Sequence, residues 1–380
     1  MLRLVSLLGL VTMLLLAWLM SDNRRRMNFR LIASGVGLQL ALGGLLLGIK
    51  PLREMFFTFS ETLFKGLMQC PDAGARFVFG DAFKEHYFAF GVMPMVIFFS
   101  SLTAVLFHLG VLQWLVRLMA KVMVWVMDTS GSESLCSASN VLLGMTTAPL
   151  TVRPYLPTMT RSEIMAMMTA GMATAAGSTL PAYVAYGADP GHLMVASLMS
   201  APAALVVAKI MVPETEDSPT KGTVKVEVPR TDANVLDAAC RGAAEGLKLV
   251  LNIVAMLIAF IALVYLVNWI LSPLPHVAGA PLTLERMLGW GCAPLAWLMG
   301  VCPEDAQSVG RLIGEKTVFN EVIAFKNLEG FKGVLQPRSF TIATYALCGF
   351  ANFGSIAVMI GGISGLAPDR RKDFARYGFR

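Results

Sequence analysis

Charged residues are scarce in this 380-residue chain: Asp, Glu, Lys and Arg together make up 15% of it, where a soluble domain carries about 25%. That shortage excludes an ordinary cytosolic enzyme and a disordered chain, both of which need a well-solvated surface. Cysteine is sparse and scattered. The six residues Cys70, Cys136, Cys240, Cys292, Cys302 and Cys348 contain no C-x-x-C pair, which argues against a disulfide framework and against a zinc site. Buried free thiols are the expectation. The four histidines, His86, His108, His192 and His276, show no H-E-x-x-H or similar spacing, so the chain is not read as a metalloenzyme. No nucleophile paired with a base stands out. The run Gly361-Gly362-Ile363-Ser364-Gly365 follows no strand and opens no helix, and it is discounted as a phosphate cradle.

What the chain does have is apolar surface. Apolar residues make up 56% of it, and the mean hydropathy is +0.64. An all-α polytopic membrane protein follows, because lipid then takes the place of one compact core and each helix satisfies its own backbone hydrogen bonds. The net charge is 31 − 25 = +6, a mild excess that sets topology in a membrane protein rather than binding nucleic acid. Spans are predicted at 4–20, 31–49, 89–116, 164–186, 193–212, 249–271 and 340–362. Arg24, Arg25, Arg26 and Arg30 crowd the loop between the first two. By the positive-inside bias that loop is cytoplasmic and the N-terminus lies outside. Residues 50–87 mix charge with phenylalanine and suit an amphipathic segment at the outer interface, with an ordinary extracellular loop as the alternative. The hydrophilic linker 213–246 divides the chain into two halves.

Two apolar segments are too short to cross. One, 136–151, is interrupted by Gly144 and Pro149; the other, 288–301, by Gly291 and Pro294. Paired short segments at matching positions point to a transporter binding site. The halves also echo each other in Ala173-Thr174-Ala175-Ala176-Gly177-Ser178 and Ala351-Asn352-Phe353-Gly354-Ser355. Each puts a polar group and a glycine inside an apolar helix, where backbone carbonyls can be released to a ligand. Close helix packing is the competing role for such residues.

A carboxylate at membrane depth costs about 2.5–3.5 kcal/mol on insertion scales, which makes Glu321 a functional candidate. It can accept hydrogen bonds from hydroxyl groups or bind a cation; its structural alternative is an ion pair with Lys316. Asn352 and Ser355 lie three apart and should project together, with Phe350 as an aromatic wall. In the first half, Asn140, Gly144, Met145, Thr146, Thr147, Thr174 and Thr179 supply the oxygen-rich chemistry that binds a hard cation such as sodium.

Several longer blocks carry a resemblance. They are Gly144-Met145-Thr146-Thr147-Ala148-Pro149-Leu150-Thr151-Val152-Arg153-Pro154, Pro213-Glu214-Thr215-Glu216, Met256-Leu257-Ile258-Ala259-Phe260, Lys316-Thr317-Val318-Phe319-Asn320-Glu321 and Cys348-Gly349-Phe350-Ala351-Asn352-Phe353-Gly354-Ser355-Ile356. Through them the chain resembles the concentrative nucleoside transporters, which are sodium- or proton-coupled, from Met1 to its end. The resemblance implies a homotrimer in the cell inner (plasma) membrane. Its fold is built on inverted repeats, with two re-entrant helical hairpins and two broken helices. The implied segments are scaffold helices and an interfacial helix at 1–130, the first half of a transport domain at 131–212, a linker and long scaffold helix at 213–285, and the second half at 286–380. The implied activity is nucleoside import by sodium symport through an elevator-type movement. A proton-coupled symporter and a nontransporting nucleoside sensor are the alternatives, and an enzyme is not expected.

By the same resemblance Glu321, Asn352 and Ser355 match ribose-binding positions, and Phe350 and Thr179 match positions beside the base. Asn140, the carbonyl of Leu143, and Thr174 match a sodium site, Thr174 standing where relatives usually have serine. Two departures follow. Relatives typically carry glutamine and glutamate at the positions of Met145 and Thr147, so base recognition at the tip formed with Gly144 and Thr146 is expected to be altered. Relatives also continue into one more spanning helix, which is expected to be missing after Arg380.

Overall fold

The computed structural model describes residues 2–222, 232–277 and 279–379, the side chains of 84–89 excepted. Part of the predicted hydrophilic linker, 223–231, lies outside the described residues. The apolar runs become helices, and the described residues contain no β-strand. Helices α1 (Leu2–Leu19) and α2 (Phe29–Gly43) come first; α2 continues through a π-helical turn at Gly44–Gly48. Asn28 starts α2 by accepting a hydrogen bond from the Leu31 N–H, one of the orphan donors of a helix start. Helices α3 (Lys50–Leu67) and α4 (Gln69–Phe79) leave Phe59 and Phe77 exposed among charged neighbours.

The predicted span 89–116 proves to be two helices. Helix α5 (Met93–His108) ends there, and Gly110 at φ +87° turns the chain into α6 (Val111–Met127). That left-handed backbone needs glycine, and its position inside an apolar run hid the break. Next come α7 (Gly131–Leu143), a 3₁₀ stretch at Ala148–Thr158, α8 (Arg161–Ala173), α9 (Leu180–Ala185) and α10 (Pro190–Met211). Ser130 with Glu133 and Thr160 with Glu163 form capping boxes that fix the starts of α7 and α8. The second half holds α11 (Val235–Leu271), α12 (Leu284–Leu298), α13 (Ala306–Val318), α14 (Glu321–Glu329), α15 (Pro337–Leu347), α16 (Phe353–Leu366) and α17 (Arg371–Gly378). Among the described residues five helices are long and apolar enough to cross a membrane: Leu2–Leu19, Phe29–Gly48, Phe90–His108, Pro190–Met211 and Val235–Leu271.

The two halves repeat one plan. In the first, α7 and the 3₁₀ stretch make a hairpin, followed by a helix broken between α8 and α9. In the second, α13 and α14 make the hairpin, followed by a helix broken between α15 and α16. The segment 288–301 is therefore not re-entrant, contrary to the expectation from its length. Helix α12 runs unbroken past Gly291 and Pro294, and the second hairpin turns at Phe319–Asn320. Small residues on the facing helix α13 let the two helices pack closely. A Cβ on Gly310 would lie 2.6 Å from the Ala293 backbone nitrogen, and one on Gly314 would lie 2.5 Å from the Leu288 Cβ. The predicted spans 164–186 and 340–362 are the two broken helices.

Behind the first hairpin sits a buried ionic cluster. The Lys209 ammonium on α10 lies 2.7 Å from a Glu133 carboxylate oxygen on α7 and 3.1 Å from Glu214. Lys209 also donates to Ser162, and the Thr160 hydroxyl donates to Glu214 at 2.9 Å. Glu163 accepts from Ser132 and Ser218 nearby. Removing one partner of such a buried pair costs about 3–5 kcal/mol.

Helices α5 and α11 pack so closely that side chains are excluded between them. A Cβ on Gly242 would sit 2.7 Å from the Ser100 carbonyl oxygen, and one on Gly246 would sit 2.8 Å from the Ile97 Cα, a small-xxx-small contact. Gly242→Val is expected to force the pair apart and lower the melting temperature of the detergent-solubilised protein, at a cost of about 1–3 kcal/mol. Gly362→Ala on α16 meets nothing within 4 Å and should be neutral or stabilising by up to about 1 kcal/mol. Fluorescence melting curves of the two variants check the pair.

Candidate functional site

The first hairpin tip and the two helix breaks lie close together. The first hairpin ends α7 at Gly144, whose φ of +83° is left-handed and whose missing Cβ would lie 2.6 Å from the Ala176 Cβ. The Gly177 N–H, inside the α8–α9 break, donates to the Leu142 carbonyl at 3.2 Å. On the other side, Gly349 at φ +138° opens the α15–α16 break, and a Cβ there would lie 2.7 Å from the Ala173 carbonyl oxygen. Ala173 is the last residue of α8. The hairpin tip and the two breaks thus meet backbone to backbone.

A cavity of about 140 Å³ opens beside this junction. Its wall includes Leu143, Gly144, Met145, Thr146 and Thr147 from the first hairpin, Ser178 from the first break, Asn320 and Glu321 from the second hairpin, and Phe350, Asn352 and Ser355 from the second break. Thr179, expected beside the base, does not line it. The Thr179 side chain is buried at the start of α9, and its hydroxyl donates to the Ala176 carbonyl at 2.9 Å; its neighbour Ser178 takes the wall position.

Glu321 is 4% exposed and is the first residue of α14. One carboxylate oxygen accepts from the Asn352 amide at 3.0 Å and the other from the Tyr183 hydroxyl at 3.4 Å. The helix start adds partial positive charge at the carboxylate. Asn320 caps α14 through its side-chain oxygen, which accepts from the Ile323 N–H at 3.0 Å. Asn352 does the same for α16, accepting from the Ser355 N–H at 2.8 Å. The Asn352 side chain therefore both starts a helix and holds the carboxylate. The alternative ion pair does not form: Lys316 donates to the Ala346 carbonyl at 3.0 Å, and among the described residues no ion pair joins it to Glu321. Tyr183 in turn stacks on Phe325, with ring centroids 4.4 Å apart.

On the first hairpin, Asn140 is buried. Its amide nitrogen donates to the Cys136 carbonyl at 3.1 Å, but its oxygen has no hydrogen-bond partner among the described residues. Such an orphan acceptor in a dry interior costs about 1–3 kcal/mol. Leu143 closes α7, and Thr174 stands at the end of α8, its hydroxyl donating to the Ala170 carbonyl at 2.8 Å. No cluster of three or more His, Cys, Asp or Glu side chains able to hold a metal occurs among the described residues.

Sequence reasoning did not find the opposite wall. Helices α5 and α11 contribute Ser100, Thr103, Arg241, Glu245, Asn252 and Met256. Arg241 is neutralised by Asp232, through bonds of 2.6 and 2.9 Å, and by Glu245 at 2.8 Å. The hydrogen bonds from that guanidinium hold the Asp232 carboxyl below its usual range. A signal for this wall was present: Asn252 is an amide in the middle of the apolar stretch of α11.

Three family models match in succession: "Na+ dependent nucleoside transporter N-terminus" over residues 8–82, "Nucleoside recognition" over 89–190, and "Na+ dependent nucleoside transporter C-terminus" over 192–380. The uncharacterized transporter YutK of Bacillus subtilis is 40% identical over 380 residues, covering 99% of this chain and 94% of that protein. The chain belongs to the Na+ dependent nucleoside transporter family. The mouse solute carrier family 28 member 3 is 41% identical over 395 residues, and the rat sodium/nucleoside cotransporter 1 is 39% identical. This chain spans just over half of their length, 56% and 61% respectively.

Among solved structures, CNTnw in an inward-facing substrate-bound state superposes with a TM-score of 0.90 at 39% identity, covering 100% of this chain and 93% of that one. A CNTnw double variant in an outward-facing state gives 0.92. The fold is therefore that of the concentrative nucleoside transporters, with the inverted repeats, hairpins and broken helices expected from the sequence, in a multi-pass membrane protein. The relatives are transporters, not enzymes.

Asn352→Ala would strip Glu321 of its 3.0 Å donor and remove the cap of α16, at an expected cost of about 1–3 kcal/mol. Tyr183→Phe removes only the 3.4 Å contact and should cost less than about 1 kcal/mol. Melting temperatures of the two variants, compared with the unmodified protein, check this ranking.

Proposed function

We propose that this protein imports nucleosides across the cell inner (plasma) membrane by sodium symport, with its N-terminus outside. The cavity at the meeting of two hairpins and two broken helices carries the reading, and within it the buried Glu321–Asn352 pair is the deciding observation. A carboxylate accepts hydrogen bonds and an amide both donates and accepts, which matches a pair of vicinal sugar hydroxyls. Glu321, Asn352 and Ser355 would hold the ribose, and Phe350 would flank the base. The printed names of the family models and of the sodium/nucleoside cotransporter 1 relatives support nucleosides as substrate and sodium as the co-transported ion.

Asn140, the carbonyl of Leu143, and Thr174 would hold that sodium. The fit rests on the Asn140 side-chain oxygen, which is buried without a partner, in an all-oxygen donor set of the kind hard cations take. Sodium there would neutralise an otherwise unsatisfied acceptor and order the nearby hairpin tip. The segments 131–212 and 286–380 would move together as an elevator against a scaffold of 1–130 and 213–285, in a homotrimer.

Recognition of the base is altered in this reading. At the first hairpin tip Met145 offers only a thioether, a weak acceptor, and Thr147 a single hydroxyl. A tip that pairs poorly with a base edge discriminates less between bases.

Uptake into proteoliposomes tests the reading. Glu321→Gln should weaken nucleoside binding about 10- to 100-fold, the loss expected for a charged hydrogen-bond acceptor. Replacing external sodium by choline should abolish uptake; uptake that persists and follows a pH gradient instead would make the protein a proton symporter. Saturable binding with no flux in the same vesicles would make it a sensor. Restoring glutamine and glutamate at the tip, in the double variant Met145→Gln with Thr147→Glu, should raise uptake of uridine and cytidine several-fold. If that variant takes up both at the unmodified rate, the tip residues do not set base preference.

A further inference from the structure

The scaffold wall of the cavity holds hydrogen-bonding groups that the protein itself leaves unused. Hydroxyl groups inside helices of this chain commonly bond back to the carbonyl four residues earlier: Thr12 to Leu8, Ser60 to Phe56, Thr174 to Ala170, Thr317 to Ile313 and Thr344 to Phe340. Ser100 and Thr103 on α5 make no such bond, and among the described residues neither hydroxyl has another partner. The Asn252 amide on α11 also lacks a partner there, although the helix around it is apolar. The Asn252 side chain is exposed at the cavity rather than packed into the helix bundle, so its amide is free to bond to an occupant. All three side chains line the same cavity as Glu321 and Asn352.

Position on α11 strengthens the case. Arg241, Glu245, Leu249, Asn252, Ile253 and Met256 form one stripe along the helix, and the whole stripe faces the cavity. Arg241 and Glu245 are spent on each other and on Asp232. Asn252 is not. Its amide offers two donors and an acceptor, the complement of a nucleobase edge, while the tip residues Met145 and Thr147 offer little to one.

We propose that Ser100, Thr103 and Asn252 form a scaffold-side subsite that reads the base of the nucleoside while Glu321 and Asn352 hold the sugar. This rests on the nucleoside reading above. The base is then contacted by the scaffold in the conformation described here, and that contact breaks when the cavity leaves α11. Affinity for the base differs between conformations on this account, and the contribution of the hairpin tip is correspondingly smaller.

The test uses the full chain in lipid nanodiscs and equilibrium binding of uridine, cytidine, adenosine and inosine. Asn252→Leu should weaken binding about three- to ten-fold for at least one base and shift the ratio of affinities between bases at least about threefold. Melting temperature and sodium dependence should not change. The double variant Ser100→Ala with Thr103→Val should shift the same ratios in a milder way. Equal loss for every base, or no change in either variant, overturns the subsite. Where the unmodified protein binds nucleosides, Glu321→Gln weakens that binding about 10- to 100-fold and Asn252→Leu leaves it unchanged, only the scaffold subsite falls. Where the folded, unmodified protein binds none of the four, the nucleoside reading falls and takes the subsite with it.

Discussion

Breaking a helix in the bilayer frees N–H and C=O groups that lipid cannot satisfy, and that constraint organises this protein. The hairpin tip and the two helix breaks answer it by meeting one another. Gly177 donates to the first hairpin, and Gly349 presses against the end of α8. Where the loosened backbone is gathered, polar side chains can enter as well, because each finds a helix start to cap. Asn320 and Asn352 are both caps and both cavity residues. The same junction that satisfies the backbone therefore builds the cavity.

Much of this was legible in the sequence for a physical reason. Glu321, Asn352 and Ser355 are expensive at membrane depth and stood out against their apolar neighbours. Gly144 stood out as an interruption in a short apolar segment, and its positive φ explains why glycine is there. The second hairpin was misplaced for an equally physical reason. Glycine and proline in 288–301 look like helix breakers, but α12 runs through both, and Gly310 and Gly314 on α13 are what let the two helices approach. Conversely, the true hairpin at 306–329 carries Arg311, Glu315 and Lys316, a composition that does not read as membrane-embedded until Arg311 pairs with Glu315 at 2.6 Å. Ser100 and Thr103 were invisible because only a long-range contact turns them toward the cavity.

The electrostatic design separates structure from selectivity. Charges that hold the framework are matched inside the protein, as Arg241 is by Asp232 and Glu245. Glu321, at the cavity, is instead hydrogen-bonded by neutral donors alone. A neutral polar ligand can exchange into such a site without leaving a charge uncompensated, which an ion-paired carboxylate would not permit. The family relationship and this local chemistry point the same way by independent routes.

The Lys209 cluster constrains how the molecule can deform. Because one ammonium is clamped by carboxylates from α7 and from the stretch just after α10, the first hairpin and α10 cannot part without exposing an unmatched charge to a dry interior. Flexing is thereby expelled to the chain before this rivet, near Asp128, whose backbone is already left-handed at φ 55°. A rigid lever with a pliable root is what this arrangement leaves available.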